Sequence, residues 1–454
     1  MLSSDPFRPS IPLKIAVVGT GISGLAAAWL LSQRHEVTVY EAEARIGGHS
    51  HTVDIEAAGR RIAVDTGFIV YNELCYPNLT ALFARLGVET AASNMSFTAS
   101  LERGRFEYCA DTLMSLAAQP SNLLRRRFWS MLSEIPRFYR QAVRDLPELG
   151  DQTLDDYLFQ RRYSRAFRVD HLFPMAAAIW STPAAEVGGY PAAAFIRFFA
   201  NHGLLRLTGR PQWRTVVGGS REYVRRLSEP FAQSVLTSRP VSAILRHGRG
   251  ADVVDARGGR RTFDHVVLAT HADVALSLLA EPSADERRWL GAFRYSRNET
   301  FLHGDPALMP RRRRAWGAWN YLSETEGGER RSSVSYWMNR LQPLGEAPDV
   351  FVTLNPPRPP RADAVHARFI YEHPTFDAEA LAAQRQLWSL QGVDRVWYCG
   401  AHFGAGFHED GLQAGLAVAE ELGGVARPWA VAEDSARIFR CSDAKPFRFL
   451  EAAE

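Results

Sequence analysis

The sequence predicts an α/β fold in which a domain built on a parallel β-sheet is joined to a mixed α+β domain, both discontinuous in sequence. A β-branched run at residues 14–18 leads directly into closely spaced glycines and an apolar helix. Similar short runs with glycines recur at residues 215–241, 253–279 and 396–422. The segments between them have helical or antiparallel patterns. This interleaving indicates two domains, each assembled from separate pieces.

The composition is that of a globular protein with a sizeable core. Hydrophobic residues make up 46% and charged residues 23% of the 454 residues, which indicates neither disorder nor an integral membrane protein. At about 100–200 residues per domain, the length fits two or three domains. The net charge of +3 is too small to indicate a nucleic-acid partner. The four cysteines lie far apart, which favours a cytoplasmic location and predicts no metal site.

The glycines after the first strand have the spacing of a dinucleotide-binding turn. Gly19 allows a tight turn, Gly21 lets the backbone approach a diphosphate, and Gly24 lets the helix pack closely on the strand. Ile22 and Ser23 begin the helix, so we expect their amides to face the phosphates.

The second strand ends at an acid that completes this pattern. Residues 36–40 form a β-branched run, and Glu41 follows it about 20 residues after the first glycine, where a carboxylate accepts hydrogen bonds from a ribose. Strand, turn, helix, strand and acid occur in the required order. The apolar stretch at residues 15–31 is therefore interpreted as part of a nucleotide site and not as a targeting signal.

The residues after Glu41 carry a more specific signature. Counted from Glu41 itself, the pattern is an acid, three residues, Arg45, one residue and the pair Gly47-Gly48. This stretch resembles the glutathione reductase-like flavoproteins, and within them the superfamily of amine oxidases, protoporphyrinogen oxidases and phytoene desaturases. The resemblance implies FAD as the cofactor and a Rossmann-like FAD-binding domain. It places Ala42, Arg45, Gly47, Gly48 and His49 beside the cofactor, where an arginine fork suits phosphate.

Later segments resemble the same superfamily in the same order. Residues 65–68 resemble the stretch that runs past the flavin, residues 217–220 and 240–241 the segment that contacts adenine, and residues 266–270 the late strand of the FAD domain. The cofactor contacts that this resemblance implies are Thr66, Gly67, Phe68, Val241, Ala269 and Thr270.

The last match implies contacts to the flavin ring. Gly400 ends a strand, and Gly411 and Leu412 belong to a helix whose amino end faces the flavin in this superfamily. A helix amino end stabilises the negative charge of reduced flavin. The chain departs from the superfamily at Ala401, where an acidic residue is usual.

The expected domain division follows from these segments. Residues 12–100, 205–282 and 392–430 are assigned to the FAD-binding domain. Residues 101–204 and 283–391 are assigned to the substrate domain, and residues 431–454 to a C-terminal tail.

The lysine content bears on the substrate. Many amine oxidases use a substrate-domain lysine bonded through water to flavin N5, and this chain has no lysine between Lys14 and Lys445. Amine oxidation is therefore disfavoured but stays an alternative. A non-catalytic flavin-binding protein is a second alternative.

A closer resemblance favours an apolar substrate. Residues 64–72, 178–181, 319–321 and 406–411 resemble a bacterial subgroup of NAD/FAD-binding proteins, some of which are associated with fatty-acyl modification, including desaturation. This implies an FAD-dependent dehydrogenase of an apolar, lipid-like chain. The aromatic run at residues 195–199 could line a channel for such a chain.

Candidate catalytic residues lie near the flavin-facing helix and on a substrate-domain strand. Removal of hydrogen from carbon needs hydride transfer and a base, and His408 or Glu409 suits the second task. A structural role, in which Glu409 or Asp410 caps the helix, is an equal alternative. Asn320 and Tyr321 are weaker candidates.

The expected partners follow from the single nucleotide fingerprint. No second fingerprint for NADPH occurs, so the electron acceptor is expected to be dioxygen, a quinone or a protein. Arginines at residues 125–127 and 311–314 could contact an anionic lipid surface, which would make the protein peripheral to the inner membrane. A solvated basic face is the favoured explanation of these arginines.

Overall fold

The computed structural model describes residues 12–57, 59–180, 183–326, 329–432 and 434–440. Ser181, quoted above for a resemblance, lies outside the described residues. So do Cys441, Lys445 and the rest of the tail assigned to residues 431–454 beyond residue 440.

The strands are β1 (Lys14–Val18), β2 (Glu36–Tyr40), β3 (Thr52–Ala57), β4 (Arg60–Asp65), β5 (Tyr71–Asn72), β6 (Thr90–Ser93), β7 (Phe97–Leu101), β8 (Phe106–Cys109), β9 (Trp213–Val216), β10 (Val235–Leu236), β11 (Val241–His247), β12 (Gly250–Asp255), β13 (Arg260–Phe263), β14 (His265–Leu268), β15 (Arg294–His303), β16 (Trp319–Glu326), β17 (Glu329–Trp337), β18 (Phe351–Leu354), β19 (Val365–Thr375) and β20 (Val396–Tyr398).

The helices are α1 (Ile22–Leu31), α2 (Pro77–Leu86), α3 (Leu113–Leu116), α4 (Arg126–Asp145), α5 (Leu154–Gln160), α6 (Arg165–Phe167), α7 (Phe173–Trp180), α8 (Ala192–Asn201), α9 (Arg221–Ser228), α10 (Ala272–Leu278), α11 (Ala284–Leu290), α12 (Met338–Leu341), α13 (Ala378–Gln384) and α14 (His408–Glu421).

A five-stranded parallel sheet organises the predicted cofactor domain. Its strand order is β10-β2-β1-β14-β20, and every pair of neighbours is parallel. The apolar β-branched residues of β1 are buried on both faces, as a central parallel strand requires. Because β2 lies on one side of β1 and β14 on the other, the carboxyl end of β1 is a topological switch point, where ligands bind in such sheets.

A seven-stranded mixed sheet organises the second domain. Its order is β19-β15-β18-β17-β16-β7-β8. The β16–β7 pair is parallel, and the other neighbours are antiparallel. Helices α4 and α7 and the aromatic residues of α8 share one hydrophobic core with this sheet. The predicted fold class, a parallel-sheet domain combined with a mixed α+β domain, is confirmed.

Two findings refine the expected organisation. Strand β7 begins at Phe97 and belongs to the mixed sheet, although residues 97–100 were assigned to the FAD-binding domain; the division itself stays a prediction. The described part of the tail is packed, since Ile438 is buried in the core of the parallel-sheet domain. No helix among the described residues has both the length and the apolar character needed to cross a membrane.

Candidate cofactor and substrate site

The first glycine turn packs so closely that side chains would not fit at two of its three glycines. A Cβ on Gly24 would lie 2.0 Å from the Gly19 carbonyl oxygen, and a Cβ on Gly19, whose φ is +102°, would lie 2.7 Å from the carbonyl oxygen of Ala269. A Cβ on Gly21 would meet nothing within 4 Å. The turn therefore leaves open space above the amino end of α1, as a diphosphate requires.

The acid at the end of β2 organises the turn. The Glu41 carboxylate accepts a hydrogen bond from the backbone N–H of Thr20 at 3.0 Å, and the Thr20 hydroxyl donates to the same oxygen. The hydroxyl oxygen of Thr20 in turn accepts a hydrogen bond from the Gly47 N–H at 3.1 Å. Glu41 is thus positioned beside the glycine turn, as predicted, and connects it to the second glycine pair.

The second glycine pair closes against the first turn. A Cβ on Gly48 would lie 3.0 Å from the Cα of Gly21. The Arg45 guanidinium donates to the Gly48 carbonyl oxygen at 2.7 Å and forms an ion pair with Glu43 at 3.0 Å. Arg45 is therefore held next to the glycine turn, where the resemblance places phosphate. Ala42 lies in the same loop, outside any helix or strand.

His49 lies among other imidazole and phenol rings. Its ring centroid is 5.3 Å from that of Tyr371 and 5.4 Å from that of His373. Burial, followed by the neighbouring His373 and His271 rings, holds the pKa of His49 well below its usual value. Its Nε2 is buried without a hydrogen-bond partner among the described residues. A buried nitrogen without a protein partner, beside the glycine pair, fits a hydrogen bond to a cofactor.

Residues 66–68 lie next to His49 and extend the predicted cofactor site. The Thr66 hydroxyl lies 2.6 Å from the Tyr371 hydroxyl. A Cβ on Gly67 would lie 2.2 Å from the His49 carbonyl oxygen, so this glycine permits the close approach of two backbone segments. The Phe68 ring stacks on the imidazole of His408 with a centroid distance of 3.7 Å. The structure therefore joins the predicted flavin stretch to the predicted catalytic histidine.

His408 begins α14 and belongs to a network with two hydroxyl groups. Its Nε2 lies 2.7 Å from the Tyr223 hydroxyl and 3.0 Å from the Ser50 hydroxyl, and the two hydroxyls also contact each other. Burial lowers the pKa of His408 to about 3. The imidazole is therefore neutral at physiological pH, and as a base it is weak.

Glu409 has a structural role. Its buried carboxylate accepts from the backbone N–H groups of Asn78 and Leu79, each at 3.0 Å, and from the side-chain amide of Asn78 at 2.8 Å. These amides belong to the first turn of α2, so Glu409 caps a helix remote in sequence. The expected cap on α14 itself comes from Asp410, which accepts from the Phe407 N–H at 2.8 Å.

Asn320 and Tyr321 on β16 are buried in the second domain. The Asn320 side chain donates to the carbonyl oxygens of Gly317 at 2.7 Å and Ser335 at 3.0 Å, and it accepts from the Gly317 N–H at 2.9 Å. These bonds give Asn320 a structural role. Tyr321 is 1% exposed and borders a groove that is also lined by Ala177 and Val334.

The turn of α14 that the resemblance places against the flavin packs closely on α1. A Cβ on Gly411 would lie 3.0 Å from Cγ2 of Ile22, and the Leu412 side chain is wholly buried in the core. Any cofactor contact from this turn would have to come from the backbone. At the start of α14, Phe407 and His408 are partly exposed, whereas Glu409 and Asp410 are buried.

The remaining predicted contacts lie at the ends of strands. Ala269 and Thr270 follow β14, and the Ala269 N–H donates to the Val18 carbonyl oxygen at 2.8 Å. Gly400 follows β20, and Val241 begins β11. The strand ends of β1, β14 and β20 therefore meet at one edge of the parallel sheet, as the resemblance implies.

Several residues of this site were not singled out from the sequence. Ser50, Tyr223, His271, Tyr371 and His373 join it only through tertiary contacts. A histidine or tyrosine on a β-strand or helix carries no positional signal of its own, so only the glycine motifs around Ser50 and Tyr223 pointed to their neighbourhood.

An aromatic cleft adjoins the site on the side of the second domain. It has a cavity volume of about 140 Å³. Trp180, Phe195 and Phe198 form one wall, and the ring of Phe198 lies 4.9 Å from that of Phe407. Of the aromatic run at residues 195–199, Phe195, Arg197 and Phe198 line the cleft, whereas Ile196 and Phe199 lie in the hydrophobic core.

The glycine turns, the acid at the end of β2 and the unmatched His49 nitrogen fit a dinucleotide cofactor at the switch point of the parallel sheet. Together with the mixed sheet of the second domain, they define a two-domain dinucleotide-binding protein. A family profile described as flavin containing amine oxidoreductase matches residues 22–298, more than half of the chain. The chain belongs to this family, and its cofactor is FAD.

Relatives with different substrates share its sequence or fold. The AofH protein of Mycobacterium tuberculosis, assigned as a flavin-containing monoamine oxidase, is 29% identical over 260 residues, which are 55% of this chain and 55% of that protein. The match therefore spans about half of the length of each. A putrescine oxidase variant superimposes with a TM-score of 0.64 at 15% identity, covering 91% of this chain and 99% of that one.

A fatty acid isomerase from P. acnes that produces CLA superimposes with a TM-score of 0.63 at 14% identity, covering 90% of this chain and 98% of that one. At these identities, the structural matches show the fold alone.

Proposed function

We propose that the chain is an FAD-dependent dehydrogenase of an apolar substrate such as a fatty-acyl chain. The aromatic cleft is the observation that supports this most directly. Its apolar wall leads through Phe198 to Phe407, the residue before His408. An apolar chain lying in the cleft would reach toward the residues around the cofactor turns while losing its contact with water.

Bound FAD supplies an acceptor for a hydride removed from carbon. The chain's own residues position the substrate and stabilise charge. The cleft rings exclude water, and the amino end of α14 presents its helix dipole to negative charge. His408 is held neutral between Tyr223 and Ser50. We assign it a hydrogen-bonding role at Nε2, because a group with a pKa near 3 accepts a proton poorly at neutral pH.

Amine oxidation is the second candidate function. It is supported by the family and by the similarity to AofH. The sequence opposes it, since no lysine occurs between Lys14 and Lys445. Aromatic rings can also bind a cationic amine, so the cleft by itself admits both substrates.

The electron acceptor is proposed to be dioxygen, a quinone or a protein. Peripheral membrane contact also stays a proposal, and the arginine runs lend it limited support. Arg127 pairs with Asp170, Arg312 pairs with Glu107 at 2.7 Å, and Arg313 pairs with Asp349 at 2.8 Å. Part of this basic surface therefore serves internal ion pairs.

Anaerobic titration of the FAD-loaded protein separates the functions. Fatty acids and fatty-acyl esters are added to one set of samples, and putrescine and benzylamine to another, while visible flavin absorbance is recorded. We expect bleaching by the lipids and none by the amines. Bleaching by amines alone would establish the second candidate. Absorbance that no substrate changes would favour the non-catalytic alternative.

A further inference from the structure

The aromatic cleft contains a cation without a counter-ion. Arg197 lies on α8 and lines the cleft. Its Nε is buried without a hydrogen-bond partner, and no ion pair or hydrogen bond to its guanidinium occurs among the described residues. Because arginine does not lose its proton in proteins, the cleft holds an uncompensated positive charge.

Two well-buried arginines of this chain are paired with carboxylates. Arg246 pairs with Glu286 at 2.7 Å, and Arg427 pairs with Glu420 at 2.8 Å. An unpaired charge away from water is costly, and these pairs show how the fold usually avoids that cost. Arg226 has no carboxylate partner but donates to two backbone carbonyl oxygens, whereas Arg197 in the cleft has neither kind of partner among the described residues.

The acid nearest to the cleft does not neutralise Arg197. The Asp410 carboxylate pairs with Arg437 at 3.4 Å and accepts from the Phe407 N–H at 2.8 Å. The charged neighbour that acts on Arg197 is Arg385, and together with burial it lowers the pKa of the Arg197 guanidinium. An anion placed beside Arg197 would relieve both effects.

The rest of the lining is mainly apolar. Trp180 and Phe198 lie with ring centroids 4.7 Å apart, and Phe376 and Leu381 also line the cleft. A small hydrophilic anion would gain nothing from these walls. A neutral hydrocarbon would leave Arg197 unpaired.

We infer that the cleft binds an amphiphilic anion, with an acidic head paired to Arg197 and an apolar chain packed along the aromatic wall. This inference rests on the proposed function, because it specifies the substrate class of the same site. A guanidinium fork binds carboxylate and phosphate alike, so the head is a carboxylate or a phosphate on a long chain. A free fatty acid is the simplest ligand of this kind.

Calorimetric titration of the FAD-loaded protein with matched ligands tests the inference. The ligands are dodecanoate, dodecyl phosphate, dodecanol, dodecylamine and acetate. We expect dodecanoate or dodecyl phosphate to bind about tenfold or more tightly than dodecanol, because charged hydrogen bonds contribute on that order. Acetate and dodecylamine should bind more weakly still. The tighter of the two anions identifies the acidic head.

Variants test the role of Arg197. Arg197→Met should weaken binding of the preferred anion by about tenfold or more and leave dodecanol unchanged. Arg197→Lys should retain part of the preference, since it keeps the charge without the fork. Arg385→Gln is the matched control: it removes an exposed neighbouring cation and should change affinity by less than about twofold.

Three results would overturn the inference. They are equal affinity of the wild type for the anions and for dodecanol, unchanged anion affinity in Arg197→Met, and acetate affinity equal to that of dodecanoate. The first and third need no variant to fold. Binding without flavin bleaching would sustain the anion site and count against dehydrogenation, so the two proposals fail separately.

Discussion

The glycine turns beside the parallel sheet and the aromatic cleft beside α8 recognise ligands in opposite ways. At the turns, Gly21 and Gly48 leave out side chains so that backbone can approach a cofactor. In the cleft, large rings and Arg197 supply the surface. The turns come mostly from consecutive stretches of chain, whereas the cleft combines residues from Trp180 to Phe439. A site built from backbone depends on the spacing of glycines along the sequence. A site built from side chains depends on how distant elements pack together.

Gly21→Glu should give the largest effect and mark the backbone site. A Cβ at this position meets no atom within 4 Å, so the fold should persist. The carboxylate would occupy phosphate space and repel it, which should leave colourless protein. Gly248→Glu is the control, because Gly248 is exposed and equally unobstructed. Yellow Gly21→Glu protein with normal flavin content would contradict the cofactor assignment.

Glu409→Ala should destabilise the contact between α14 and α2. It would leave the N–H groups of Asn78 and Leu79 buried without their acceptor. We expect the free energy of unfolding to fall by about 2–5 kcal/mol, measured by guanidinium denaturation. Glu379→Ala, at an exposed helix start, should change it by less than about 0.5 kcal/mol. Equal values for both variants would refute the capping role.

Acidification should destabilise the protein. Burial lowers the pKa to about 3 or 4 for His51, His171, His202, His303, His373, His402 and His408. The unfolded chain binds these protons near the ordinary pKa of about 6.5, so each histidine costs stability as the pH falls below that value. At about pH 5.5, the cost reaches about 1.4 kcal/mol for each fully buried histidine and is smaller for His51, which solvent partly screens.

Two carboxyl groups act in the opposite direction. Burial raises the pKa of Asp65 and of Asp410 to about 6. Their contribution to stability is full below their unfolded pKa and is lost as the pH rises through about 6. Seven histidines should outweigh two acids, so the thermal midpoint should be lower at about pH 5.5 than at about pH 7.5. A midpoint that is unchanged or higher at the lower pH would show that the histidines are not held neutral.

His408→Ala should give the smallest effect. Flavin content should be unchanged, and the rate of anaerobic flavin reduction by the active lipid should fall about tenfold, as expected for one lost hydrogen bond. Tyr223→Phe, which removes a hydroxyl partner of His408, should have a smaller effect in the same direction. A loss of about a hundredfold or more would identify His408 as the base. An unchanged rate would exclude it from the chemistry.

The sequence alone determined the cofactor half of this protein. The order of strand, glycine turn, helix and acid predicted the parallel sheet and the position of Glu41 beside the turn, because dihedral freedom and side-chain size act within a few residues. It also identified the aromatic run on α8. A glycine turn and the acid that follows it involve only neighbouring residues, so they occur at fixed spacings that can be recognised in the sequence.

Tertiary structure decided the roles of individual polar groups. Glu409 looked equally suited to proton transfer and to capping, and only its contact with α2, about 330 residues away in sequence, assigned it to capping. The free charge of Arg197 also could not be read from the chain, since a counter-ion can come from any segment. Burial and pairing depend on which distant elements meet, and that is settled by packing of the whole fold.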